Sequence, residues 1–325
     1  MRTHKIGNHS KTAGLCVGLL LPALIAAAAS GREPGDGSLP RYIGRFGGPG
    51  QDPGRMDGPR ALSADPSGNL YVADTGNHRI QKLDGAGNVL AAIGGFGWGR
   101  ERFNDPVSVW AGNGLDVFVA DHDNGRIERY DKDLHYLSTL RASSGWAESL
   151  AFDFPLDVFF TPQSELFCLD GENRRILKLG PGGVPQIAFG GVDSGEGRLG
   201  SPERIRVTGS GRVLAADTEE GRVAVFDTYG NFLFAFGDEA LDRPAGMTET
   251  PDGGILFVCD TGNRRVHWFR KWVAAGSFGR EIVPDGAFGA PVDAAYRDGR
   301  LYVLDRERSE IHIFEWPRPE ERELR

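Results

Sequence analysis

An apolar run ending in Asp, followed by a small polar turn, recurs six times: VADTGNHRI, VADHDNGRI, CLDGENRRI, AADTEEGRV, VCDTGNRRV and VLDRERSEI. The Asp residues are Asp74, Asp121, Asp170, Asp217, Asp260 and Asp305, spaced by 47, 49, 47, 43 and 45 residues. A second anchor precedes each, an apolar residue three positions before a Pro. The pairs are Met56/Pro59, Phe103/Pro106, Phe152/Pro155, Leu199/Pro202, Leu241/Pro244 and Phe288/Pro291, and Pro-to-Asp distances are 15, 15, 15, 15, 16 and 14. Two anchors kept in register at a period in the forties mean a propeller, a solenoid or an array.

The local pattern chooses among these. The first repeat holds four short strand signals, RALSADP, NLYVADT, HRIQKLD and VLAAIGG, with turn sequences DPSGN and DGAGN between them. No segment has a long helical period, and 47 Gly with 19 Pro spread along the chain supply many turns. Four antiparallel strands per repeat make a propeller blade. The last repeat stops after its third strand, EIHIFEW, and RYIGRFGG at Arg41 to Gly48 supplies a matching fourth. The expected fold is therefore all-β: a six-bladed β-propeller over 41–316, closed by an N-terminal strand that completes the last blade. Closure removes the open sheet edges.

VADTGNHRIQKLD, with its apolar-x-x-Pro start, resembles the NHL repeat. The resemblance covers all six repeats and is strongest in the first and fifth. The sixth departs most, with Glu310 where the others carry Arg. It implies a non-enzymatic interaction platform for a protein, peptide or glycan on the loop face. A propeller lyase or hydrolase with a polar or metal-assisted channel site is the alternative, because fold alone does not set function. In the related peptidyl-hydroxyglycine amidating lyases, zinc-binding His residues follow the Pro. The six matching positions here are Arg60, Val107, Leu156, Glu203, Ala245 and Val292, and none is His. That pattern offers no zinc set, and neither a catalytic residue nor a metal site is assigned.

Repetition also separates structure from chemistry. Arg79, Arg126, Arg175, Arg222 and Arg265 each follow their Asp by five residues. A carboxylate that accepts turn N–H groups and a guanidinium would tie the turn. Such pairs are expected to be structural, because one active site needs one constellation. Asn77, Asn124, Asn173 and Asn263 suit left-handed turn positions. The residues after each Pro differ between repeats and are expected at the channel mouth. Arg60, Asp157, Glu203, Arg204 and Asp293 form a candidate ligand site there, weighed against solvated rim charges. In a six-blade ring Arg60 and Glu203 would face each other across the axis, as would Asp157 and Asp293. A carboxylate pair can also hold calcium with backbone carbonyls. His78 and His122 read as turn residues on a shared face.

The first thirty residues differ from the rest. Arg2, Lys5 and Lys11 precede a 15-residue apolar run, Leu15 to Ala29, interrupted by Pro22 and ending in small residues. This reads as a cleaved signal peptide over 1–30 rather than a membrane span. It is followed by a short linker over 31–40, and 317–325 form a charged tail. The protein is thus expected to be exported, periplasmic or extracellular, monomeric, and without a span after cleavage. Losing those three cations takes the formal charge from −8 to −11, which disfavours nucleic acid as a partner. Cys168 and Cys259 lie inside apolar runs of non-adjacent repeats and are expected to be buried and unbridged. No nucleophile elbow, phosphate loop or zinc-protease motif is present.

Overall fold

The structure is a computed structural model and describes residues 39–316. Residues 1–38 and 317–325, over which the sequence leads one to expect a signal peptide, most of a linker and a charged tail, lie outside the described residues. Six antiparallel four-stranded sheets form the blades, and five take their strands in chain order. In the sixth, Arg41–Gly47 pairs with Glu310–Glu315, so the first strand completes the last blade as expected.

Each blade buries its faces against its neighbours, giving six apolar clusters, one per interface between blades. The apolar residue three before each Pro is the wedge. Met56, Phe103 and Phe288 are at most 1% exposed, and each packs between its own blade and the preceding one. Phe152, Leu199 and Leu241 repeat this in the remaining interfaces. Cys168 and Cys259 are free, buried and in different clusters.

The repeated Asp residues are all fully buried. Their main role is wider than the turn. Asp74 accepts from Asp57 N at 2.7 Å, Asp121 from Asn104 N at 2.8 Å, and Asp305 from Gly289 N at 2.7 Å. These N–H groups belong to the segment that enters the blade, so each Asp clamps the crossover to its own sheet. The Arg expectation holds in three blades: Arg79, Arg126 and Arg175 reach their Asp at 2.7, 2.7 and 3.1 Å. It fails in two. Arg222 turns to the carbonyls of Glu196 and Arg198, and Arg265 to Ser277 and Glu281. In the fifth blade His267 lies 3.2 Å from Asp260 instead.

The Asn expectation is corrected. The left-handed residue is the next one, His78, Gly125, Arg174 and Arg264, with φ of 51°, 57°, 49° and 55°. Asn77, Asn124, Asn173 and Asn263 instead donate their side-chain amides to the repeated Asp. The amide is worth more as a second donor to a buried carboxylate than as a tolerant backbone.

Candidate functional site

The innermost strand of each blade starts at or just after its Pro and runs away from it: Ala61–Ala64, Pro106–Trp110, Pro155–Phe160, Pro202–Val207, Pro244–Glu249 and Pro291–Arg297. The pairing with the second strand slips just after the Pro in blades two to six. Such bulges re-aim side chains. Val107, Leu156 and Val292, directly after their Pro, pack into the between-blade clusters rather than the channel.

The second residue after each Pro forms a ring: Ala61, Ser108, Asp157, Arg204, Gly246 and Asp293. Asp157, Arg204 and Asp293 are 6%, 6% and 8% exposed, so they are not solvated rim charges. Arg204 crosses the axis and donates to the carbonyls of Arg60 at 2.5 Å and Val107 at 3.1 Å. Asp157 accepts from Ile205 N at 2.8 Å and from the Ser108 hydroxyl. Asp293 accepts from Leu62 N and Ala294 N, both at 2.8 Å. These bonds stitch neighbouring inner strands together. Gly246 makes room, because a Cβ there would stand 2.1 Å from Asp293 Oδ1. Burial raises both carboxyls against the pull of Arg204, Asp293 to about 7.

Arg60 and Glu203 stay at the proline end. Arg60 lies 3.6 Å from Asp105, and no ion pair with Glu203 is found. Burial and then the nearby Arg204 push its guanidinium downward. Asp105, His122 and Asp123 bring three ligand atoms within 4.8 Å of one another on this face. The Arg60 cation beside Asp105 opposes a divalent ion there. The Asp157 and Asp293 oxygens face N–H and O–H donors, with which a cation would compete.

A cavity lies past the ring, toward the end where the inner strands finish. Its volume is about 670 Å³. Asp157 and Asp293 line its floor. Its wall includes Ser63, Trp110, Phe159, Arg206, Thr248 and Ala295, the fourth residue after each Pro. Strand alternation brings this position inward below the second residue. Trp110 packs against Phe159 and Phe160 at ring separations of 5.8 and 5.7 Å. The Arg206 guanidinium sits 5.8 Å from the Phe159 ring centre and 3.7 Å from Glu249. Burial lowers its pKa. The sequence reading stopped at the two residues after each Pro and missed this layer. Counting two positions further would have found a Trp and an Arg at matching register.

Comparison with known proteins agrees with this architecture. Residues 56–83 match the NHL repeat family. A human protein, NHL repeat-containing protein 3, is 31% identical over 114 residues, covering 34% of this chain and 33% of that protein. The Drosophila melanogaster protein brain tumor is 27% identical over 109 residues, covering 33% of this chain and 10% of that one. The chain thus matches about a third or less of the length of these two relatives. Among solved structures, a streptogramin B lyase superposes with a TM-score of 0.57 at 12% identity, covering 81% of this chain and 94% of that one. A catalytically inactive virginiamycin B lyase from Staphylococcus aureus with quinupristin gives 0.58 at 12% identity, covering 86% and 87%. At such identities these two show a shared propeller fold alone.

Proposed function

We propose that this chain is a non-enzymatic binding propeller whose ligand, a small molecule or peptide segment, occupies the cavity at the far end of the channel. The observation that carries this reading is the cavity itself. About 670 Å³ walled by aromatic rings, with a few converging polar groups, matches the usual anatomy of a ligand site. The proline end offers Arg60 and Glu203 at the channel, where the ring residues spend their hydrogen bonds holding inner strands together; its hollow of about 620 Å³ lies off the axis, against the outermost strand of the fourth blade. Export to a periplasmic or extracellular compartment belongs to the same proposal and rests on the N-terminal sequence pattern.

Affinity selection of small molecules and peptides from an extracellular extract, read by mass spectrometry, tests it. Ala64→Trp, which fills the cavity from its wall, should abolish enrichment. Arg60→Glu at the proline end should leave it intact. The opposite pattern would overturn the cavity reading and restore the loop face.

A second reading, lyase or hydrolase chemistry, has one observation in its favour: Asp293 lines the cavity with its carboxyl raised to about 7, a value suited to proton transfer. It predicts turnover of captured ligands, lost in Asp293→Asn. Metal analysis of the purified protein, calcium included, tests its metal-assisted form. Ligands recovered unchanged and metal-free protein would count against it.

A further inference from the structure

We infer that the cavity takes an organic carboxylate borne on an aromatic body, with Arg206 as its anchor; this deepens the binding reading above and rests on it. The inference starts from how donors and acceptors are used along the wall. Every acidic group there already has a partner. Asp157 and Asp293 are taken by backbone N–H groups and Ser108. Glu165 holds Lys178 at 2.8 Å, and Glu249 accepts from Gly209 N at 2.9 Å.

The donors are not used up. Arg206 Nη1 makes a long bond of 3.4 Å to the Met247 carbonyl, and the contact with Glu249 at 3.7 Å is beyond hydrogen-bond length. Its Nε is buried and has no hydrogen-bond partner among the described residues. A guanidinium carries five N–H donors, and unmade bonds to a desolvated cation are expensive. Two hydroxyls add to the surplus. Ser63 Oγ accepts from Ala111 N, and Thr248 Oγ1 accepts from Tyr296 N. Each keeps its own proton to donate. A wall with donors to spare and committed acceptors fits a ligand that brings acceptors and negative charge. A carboxylate can take the planar fork in two bonds.

The rest of the wall sets the body. Trp110, Phe159 and Phe160 form one aromatic bank, and Arg206 lies over Phe159. A ring stacked on this bank would present its carboxylate to the guanidinium edge. A free aromatic acid and a peptide ending in an aromatic residue supply the same chemistry, so both need a probe.

The test is calorimetric titration of the full chain with indole-3-acetate, with the peptide Gly-Gly-Trp, and with the amide of each. Both acids, or the one source the site accepts, should bind at least about tenfold tighter than the matching amide, the usual strength of a charged hydrogen bond. Arg206→Gln should bring acid and amide to parity, and Arg206→Lys should keep a reduced preference. Equal affinity for acid and amide in wild type, both lost in Ala64→Trp, would overturn the carboxylate inference while leaving the cavity reading intact. So would an acid preference that survives Arg206→Gln. Failure of every probe to bind, with extract capture still abolished by Ala64→Trp, would also refute the inference alone. Extract capture insensitive to Ala64→Trp would remove both.

Discussion

At the scale of single residues, the repeated Asp is a clamp, and its strength depends on what else it holds. Asp121 accepts from Asn104 N, Asn124 and Arg126, and Arg126 is only 4% exposed. Asp217 accepts from Gly200 N and Ser201 N, without its Arg. Asp121→Ala should therefore cost about 1–3 kcal/mol, because it leaves the Asn104 N–H and the Asn124 amide without their acceptor, while Glu128 at 3.1 Å still pairs with Arg126. Asp217→Ala should cost less, and denaturant unfolding of the two variants measures the difference. In the channel, Gly246→Ala should destabilise by about 1–3 kcal/mol by crowding the Asp293 carboxyl. Asp293 also sets a pH dependence. Its folded pKa, about 7, lies above the ordinary carboxyl value of 3.8. The protonated form thus favours the fold; that contribution is complete below about 4 and is lost as pH rises toward 7. Unfolding of wild type relative to Asp293→Asn, measured from pH 4 to 8, should show wild type losing stability across that window. The repeated Asp residues were legible because they repeat. The ring residues were legible as a set but not as a buried lock, since one sequence does not show that Arg204 spans the axis. Arg206 was missed because a strand's inward face depends on the bulge after Pro, which local propensity does not reveal.

At the scale of elements, the strand Arg41–Gly47 decides closure. Its register with Glu310–Glu315 slips between Tyr42 and Gly44. That slip turns Tyr42 toward the cluster between the fifth and sixth blades and Phe46 toward the cluster between the sixth and first. One strand thus seals two interfaces. Tyr42→Asp with Phe46→Asp should lower the melting temperature more than either single change and should promote association through the exposed edge. Light scattering during a thermal melt reads both effects, and an additive loss without association would argue against a sealing role. The closing strand was readable in the sequence because the last repeat lacks a fourth strand and the first strand has its pattern. The slip was not, because both registers satisfy the same alternation of apolar and polar residues.

At the scale of the whole molecule, the propeller has two unlike ends. The proline end carries the repeated clamps and the Arg60–Asp105 contact, while the other end carries the cavity, its aromatic bank and the free donors of Arg206. The sequence drew attention to the proline end because its motifs are conspicuous. The cavity end is built from residues that differ blade by blade, and only the ring geometry gathers them. Hydrogen exchange with and without the molecules captured from extract is the most direct measurement of which end binds. The account predicts protection in the turns Thr161–Glu165, Thr208–Gly211 and Thr250–Gly254 at the cavity end. Protection confined to the turns Thr75–Asn77 and His122–Asn124 at the proline end would contradict it.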